Sequence, residues 1–227
     1  MTSELIKVNN LEVAFSGRTL FKNLTFAIDQ GEFLTVIGEN GIGKTTLIRV
    51  LLNKLRPTTG TVFRSKNIKV GYVPQFRNID VEYPLSIRDF IALSFTGIKL
   101  PFLSGRERKA VERVIKLTGL TKIADHPLGL SSGGEKQKAY LASALVNEPN
   151  LLILDESTAS LDPNTKIELL DMISKINREE HVSVLFVTHD LSLIDQYPDH
   201  FLWIKKDGYV KGTMAELPSE VKENHHV

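Results

Sequence analysis

The segment GENGIGKTT, residues 38–46, constrains the fold of this chain more than any other stretch. It fits the pattern G-x-x-x-x-G-K-[ST], follows the apolar run EFLTVIG at 32–38, and precedes a helical pattern that includes Leu47, Ile48 and Leu51. Glycines in such a loop let the backbone wrap phosphate groups, because no side chain blocks the approach. The pattern therefore predicts a strand–loop–helix unit that binds the phosphates of a nucleotide.

Each residue of this loop is a candidate contact for the nucleotide. Lys44 can neutralise charge on the β- and γ-phosphates, and Thr45 can offer its hydroxyl to Mg²⁺. The alternative is a glycine turn before an ordinary helix, but the flanking strand and helix favour the phosphate loop. The candidate binding residues are Gly38, Glu39, Asn40, Gly41, Ile42, Gly43, Lys44, Thr45 and Thr46.

Apolar runs of strand length alternate with helical patterns along most of the chain. NIKVGYVP ends at Pro74, LLILD covers 151–155, and VSVLFVT covers 182–188. Such runs, separated by helices, predict a parallel sheet with helices on both faces. Residues 76–148 contain mainly helical patterns, so we predict a helical insertion into an α/β core.

Shorter patterns predict the remaining elements. Residues 4–30 indicate short strands with a break at Asn9-Asn10, and FLWIKKDGYVKG indicates a hairpin that turns at Asp207-Gly208. Asp162 and Pro163 suit the N-cap and first position of a helix. Its expected inward residues are Ile167, Leu170, Ile173 and Ile176.

We expect one domain over residues 1–227 with two sub-domains inside it. The α/β core and an antiparallel β sub-domain would occupy 1–75 and 149–215, the helical sub-domain 76–148, and a loose tail 216–227.

Polar residues follow three further predicted strands. Asp155 can hold Mg²⁺ and Glu156 can polarise an attacking water, although two solvated acids at a strand end are the alternative. His189 can hydrogen-bond a γ-phosphate oxygen, and the amide of Gln75 can reach the metal or the water. Ligands bind at the carboxyl ends of strands in an open parallel sheet, so we expect these candidate catalytic and metal-binding residues to share one site with the phosphate loop.

Composition excludes several classes of protein. The 227 residues include no cysteine, which excludes disulfides and thiolate metal sites. A formal net charge of +1 gives no global attraction to nucleic acid, and none is expected as a partner. The sequence has neither the run of about 20 apolar residues that a membrane span requires nor a signal pattern, so a cytoplasmic location is expected.

A second phosphate-binding pattern, LSSGGEKQK at 130–138, precedes another helix. Ser132, Gly133 and Gly134 stand where free backbone N–H groups at a helix start could bind an anion.

These segments together resemble the nucleotide-binding subunit of ATP-binding cassette (ABC) transporters, over about residues 4–215. GENGIGKTT resembles Walker A, VPQ the Q-loop, SSGGEKQ the signature motif, LLILDE Walker B, ASLD the D-loop, and THD the switch-histidine loop. The resemblance implies a P-loop NTPase fold with a RecA-like core, and adds two candidate cofactor contacts. Asp162 ends the D-loop, and Phe15 stands where the family places an adenine-stacking aromatic, unless it is a core residue.

The chain departs from the family pattern at three positions. Ser131 replaces the usual leucine of the signature, Glu135 its terminal glutamine, and Ser157 the proline after the acid pair. We expect Ser131 and Glu135 to tune the helix start rather than disable it.

The resemblance also implies cofactors and partners. ATP and Mg²⁺ would bind at a head-to-tail pair of subunits, each signature closing on the nucleotide held by the partner, which explains two phosphate-binding elements in one chain. A permease would hold the pair on the inner face of the membrane by docking near Phe76–Phe90, a segment that could equally be an ordinary connector.

Similarity to ATPases of zinc or manganese importers implies metal uptake with an extracytoplasmic substrate-binding protein. His225-His226 could indicate metal handling, and a loose tail explains them equally well. The alternative is a soluble cassette ATPase, such as one that assists iron–sulfur assembly.

Overall fold

The structure is a computed structural model that describes residues 4–15, 17–75, 84–95, 102–156, 161–189 and 197–218. The strands are β1 (Glu4–Phe15), β2 (Arg18–Asp29), β3 (Phe33–Ile37), β4 (Thr59–Arg64), β5 (Val70–Val73), β6 (Leu151–Asp155), β7 (Ser183–Thr188), β8 (His200–Lys205) and β9 (Gly208–Thr213). The helices are α1 (Lys44–Leu51), α2 (Ile87–Ala92), α3 (Gly105–Leu117), α4 (Gly133–Leu145) and α5 (Pro163–Glu180).

The central sheet has the order β5-β6-β7-β3-β8-β9, and all neighbouring pairs are parallel except β8 and β9. Strands β3, β6 and β7 are buried along their whole length, because both faces of the sheet are covered there. Leu47 and Ile48 of α1 pack on one face, and Leu170 and Ile173 of α5 belong to the core on the other. The predicted α/β fold with a parallel sheet is confirmed.

A second, antiparallel sheet of order β2-β1-β4 packs beside α1. The predicted break at Asn9-Asn10 is wrong, because β1 runs on through both residues. Asn10 has φ 46°, and the pairing of β1 with β2 shifts register between Val8 and Leu11, so the two asparagines form a bulge. Strand β4, which has no predicted counterpart, is largely exposed and lacks a clear apolar pattern.

The helical block follows β5 and precedes β6, as expected for an insertion. Ser104 and Glu107 form a capping box at the start of α3, and the buried residues Val111, Val114 and Ile115 share one helical face. No helix within the described ranges is long and apolar enough to cross a membrane.

Two local predictions need correction. Lys205 pairs with Gly208, so the β8–β9 turn is Lys206-Asp207, one residue earlier than predicted. Ile167 is 45% exposed rather than inward. Burial along α5 begins at Leu169, so the first turn of this helix projects beyond the core.

Candidate nucleotide site

The carboxyl ends of four parallel strands carry the predicted phosphate loop and the predicted catalytic and metal-binding residues. The phosphate loop follows β3, Gln75 follows β5, Asp155 ends β6, and His189 follows β7. Since β5, β6, β7 and β3 are consecutive in the sheet, these residues lie along one edge.

Glu156 is the centre of the contacts at this edge. The amide Nε2 of Gln75 donates to Oε2 of Glu156 at 3.1 Å, and Nδ1 of His189 lies 3.3 Å from Oε1. The ammonium of Lys44 lies 3.4 Å from the same Oε1. Glu156 has φ 45°, and its backbone N–H donates to the carbonyl of Val187 on β7. Glu156 thus combines a left-handed backbone conformation with a carboxylate that contacts three side chains.

Lys44 is held inside the phosphate loop by the loop itself. Its Nζ donates to the carbonyls of Gly38 at 2.7 Å and Glu39 at 3.1 Å, and the residue is 6% exposed. A buried ammonium needs such acceptors, because unpaired burial of a charge is costly. Phosphate oxygens could replace these carbonyls without moving the lysine far.

Two glycines of the loop are required by its geometry. A Cβ at Gly38 would lie 2.9 Å from the carbonyl of Ile204, and Gly43 has φ 115° where it caps α1. Around them, Ile42 is buried and Asn40 is exposed. The side chain of Glu39 lies 3.4 Å from Lys206. The loop thus has no room for a side chain at Gly38, and at Gly43 its backbone adopts a conformation that favours glycine.

Asp155 and Thr45 provide oxygen ligands of the kind that Mg²⁺ prefers. The Thr45 hydroxyl lies 3.5 Å from Oδ1 of Asp155, and the Tyr72 hydroxyl donates to Oδ2 at 3.3 Å. Burial raises the pKa of Asp155, which is 2% exposed, and the hydrogen bond from Tyr72 opposes the rise. The nearby cation Lys44 pairs with Glu156 rather than with Asp155. A buried carboxylate whose hydrogen-bonding partners are neutral hydroxyls fits a divalent cation.

Gln75 contacts Glu156, the candidate base, through its side-chain amide. Its role as a metal ligand stays a prediction.

Phe15 is 46% exposed at the end of β1, so it is not a core residue. It pairs with Arg18, whose guanidinium lies 3.4 Å from the carbonyl of Gly41 in the phosphate loop. The Phe15 ring is therefore partly exposed on the β1–β2 hairpin, which contacts the phosphate loop through Arg18. A nucleotide base could stack on the ring there.

The signature helix α4 begins with a capping box. The Ser132 hydroxyl accepts from the N–H of Glu135 at 3.3 Å, and the Glu135 carboxylate accepts from the N–H of Ser132 at 2.7 Å. Glu135 thereby stabilises the helix start. The S-x-x-E spacing at 132–135 could have revealed this role in the sequence.

The signature glycines differ in their surroundings. A Cβ at Gly134 would meet Cγ2 of Thr165 on α5 at 2.6 Å, whereas one at Gly133 would find only Leu161, at 3.8 Å. Gly134 is thus required for close packing of α4 on α5, and Gly133 leaves the helix start open.

Asp162 caps α5, as predicted, and Ser131 approaches the carbonyl of Pro127 at 3.5 Å. The Asp162 side chain accepts from the N–H of Thr165 at 3.1 Å. Hydrogen bonds from the side chain and then from the N–H of Thr165 lower the pKa of Asp162. Its contact with a nucleotide stays a prediction. Outside the described residues lie Ser157, the D-loop residues Ala159 and Ser160, residues 76–83 of the segment Phe76–Phe90, and His225-His226.

Comparison with known proteins places this geometry in context. The family model described as ABC transporter matches residues 21–159. The zinc import ATP-binding protein ZnuC of Photorhabdus laumondii is 38% identical over 93% of this chain and 79% of its own length. The protein of the same name from Pseudomonas savastanoi is 36% identical over 91% of this chain and 74% of its own length.

Solved structures agree with the fold. An inward-facing ABC transporter assigned to the metal-chelate type has a TM-score of 0.87 at 25% identity, covering 96% of this chain and 87% of the matched chain. CbiO1 of Clostridium perfringens, part of the ABC transporter complex cbiONQ, has a TM-score of 0.83 at 28% identity, covering 96% and 91%.

Proposed function

The chain belongs to the ABC transporter family, and on that premise we propose that two copies hydrolyse ATP to drive a separate permease that imports a divalent metal ion. The cargo we propose first is zinc, and manganese is the second candidate. Zinc is proposed as the cargo because the chain is similar to zinc import ATP-binding proteins over nine-tenths of its length.

The contacts of Glu156 support the hydrolytic role. Its carboxylate would polarise the attacking water, Gln75 would orient that water, and His189 would hydrogen-bond the γ-phosphate. Lys44 would turn from Glu156 towards the phosphates. Mg²⁺ held by Thr45 and Asp155 would neutralise charge on the β- and γ-phosphates.

The second phosphate-binding element supports action in pairs. Ser132 and Gly133 would place the start of α4 against the γ-phosphate held by the other copy. ADP lacks this phosphate, so hydrolysis would weaken the pair.

Mixing two inactive variants tests this arrangement. A Ser132→Arg subunit keeps its phosphate loop and a Lys44→Ala subunit keeps its signature, so a mixed pair retains one intact composite site. Equal amounts should recover about a quarter of the wild-type sites, if subunits exchange freely. A mixture that hydrolyses no more ATP than its two parents would contradict action in trans.

A groove of about 900 Å³ lies between the helical block and the edge of the central sheet. We propose that a cytoplasmic segment of the permease docks near Phe76–Phe90, the segment that directly follows Gln75. The groove, which joins α3 to the other end of strand β5, is a second surface of the helical block that this segment of the permease could contact. Movement of the permease could thus reach the water-orienting amide. The groove is lined by, among others, Lys69, Phe95, Arg106, Lys109, Arg113 and Pro149.

We further propose that the permease receives the metal from an extracytoplasmic binding protein and holds this subunit on the inner face of the membrane.

The cargo is tested in cells that lack this chain. Growth in zinc-depleted medium should fail, wild-type protein should restore it, and Glu156→Gln should not. Radioactive zinc uptake should follow the same order. Rescue by added manganese instead of zinc would favour a manganese importer. Normal uptake of both metals together with deficient iron–sulfur enzymes would favour the soluble alternative.

A further inference from the structure

Tyr72 lies beside the predicted metal-binding carboxylate but belongs to none of the sequence motifs that bind nucleotide. It sits on β5, the edge strand of the central sheet, three residues before Gln75. Its hydroxyl donates to Oδ2 of Asp155 at 3.3 Å.

The strand register explains how this contact arises. Tyr72 pairs with Ile153 of β6 in parallel register, and Asp155 lies two residues beyond Ile153. Residues two apart on a strand share a face, so Tyr72 and Asp155 lie on the same side of the sheet. On that side the core includes residues of α1, the helix whose first turn carries Thr45.

The two oxygens of Asp155 therefore meet different hydroxyls. Oδ2 accepts from Tyr72, while Oδ1 lies 3.5 Å from the hydroxyl of Thr45. The Lys54 ammonium lies 5.4 Å from the centre of the Tyr72 ring, which helps to hold the ring in place. Asp155 is almost fully buried, so a carboxylate that lost one of these hydroxyls could not turn to water instead.

We propose that Tyr72 is a positioning residue, which fixes the rotation of the Asp155 carboxylate so that Oδ1 faces the metal together with Thr45. The inference rests on the Mg²⁺ site proposed above. Hydrogen bonds to a metal-binding carboxylate orient it and tune its affinity.

The variant Tyr72→Phe removes only the hydroxyl. Tyr197→Phe is the matched control, because the Tyr197 hydroxyl donates to Asp171 at 2.9 Å, on α5. Asp155→Asn reports whether Asp155 binds the metal at all. Thermal unfolding without nucleotide shows whether all three variants are folded.

Binding of Mn²⁺, a spectroscopic substitute for Mg²⁺, is measured by electron paramagnetic resonance in the complex with a non-hydrolysable ATP analogue. Tyr72→Phe should weaken Mn²⁺ binding by about 10- to 100-fold, as changes to the partners of metal ligands do. Affinity for the analogue in EDTA should stay unchanged. The Mg²⁺ concentration needed for half-maximal hydrolysis should rise, while kcat at saturating Mg²⁺ is largely retained.

The outcomes separate the inference from the site on which it rests. Unchanged or tighter Mn²⁺ binding in Tyr72→Phe, or a loss no larger than in Tyr197→Phe, would overturn the role of Tyr72. If Asp155→Asn also binds Mn²⁺ normally, the proposed metal site itself fails. If Asp155→Asn binds Mn²⁺ weakly and Tyr72→Phe binds it normally, the proposed metal site is supported and only the positioning role of Tyr72 is refuted.

Discussion

The ammonium of Lys44 lies 3.4 Å from the carboxylate of Glu156, so the phosphate-binding cation and the proposed base are paired. Both are largely buried, with side chains 6% and 15% exposed. The pair lets each charge be buried before ATP arrives. Binding of phosphates to Lys44 would leave Glu156 free to face water, which couples nucleotide binding to activation of the base.

Replacing Lys44 by alanine should remove productive ATP binding. The loss of charge-assisted hydrogen bonds to the phosphates predicts an affinity lower by about 100-fold or more. Equilibrium binding of a fluorescent ATP analogue measures it, with Lys175→Ala, an exposed lysine on α5, as the control. Hydrolysis at the wild-type rate in Lys44→Ala would refute the assignment of the phosphate loop.

Glu156→Gln should reduce hydrolysis by about 10²- to 10⁴-fold, the usual contribution of a general base. Bound ATP would then persist, and size-exclusion chromatography with ATP should show a dimer. Glu179→Gln, an exposed residue of α5, should behave like wild type. A Glu156→Gln protein that stays monomeric with ATP and turns over normally contradicts both the base and the paired arrangement.

Asp155→Asn should stabilise the protein in the absence of Mg²⁺ at neutral pH. Burial raises the pKa of Asp155 in the folded state, so ionisation of this group favours unfolding. The associated stability is fully present below the unfolded pKa of about 3.9 and is lost as the pH rises through the folded value. The melting temperatures of wild type and Asp155→Asn should therefore be similar at acid pH and differ increasingly towards pH 7. Equal differences at both pH values would contradict the predicted titration.

Gly134→Ala should destabilise the protein by about 1–3 kcal/mol, because the new methyl group overlaps Thr165. Gly133→Ala is the matched control and should change stability by about 0.5 kcal/mol or less, since its Cβ has room. Urea unfolding measures both. If adding Thr165→Ala restores the stability of Gly134→Ala, the overlap of the two side chains causes the loss. Equal losses of stability in the two glycine variants would count against this explanation.

Patterns that depend on neighbouring residues could be predicted from the sequence. The phosphate loop, the apolar strands and the Asp162 cap are encoded by spacing over a few positions. The exposure of Ile167 could not be predicted, since it depends on where the core ends along α5. The turn of the β8–β9 hairpin lies one residue earlier than predicted, because the register of a hairpin is decided by cross-strand pairing.

The sequence by itself determined which chemical groups the chain carries, and that each follows a strand. The tertiary structure alone decided that Lys44, Gln75 and His189 all contact Glu156. It also decided that the Tyr72 hydroxyl donates to Asp155. The Gln75–Glu156 and Tyr72–Asp155 contacts join residues 81 and 83 positions apart. They depend on the order in which strands pair, and strand order is set by the packing of the whole core rather than by any local pattern.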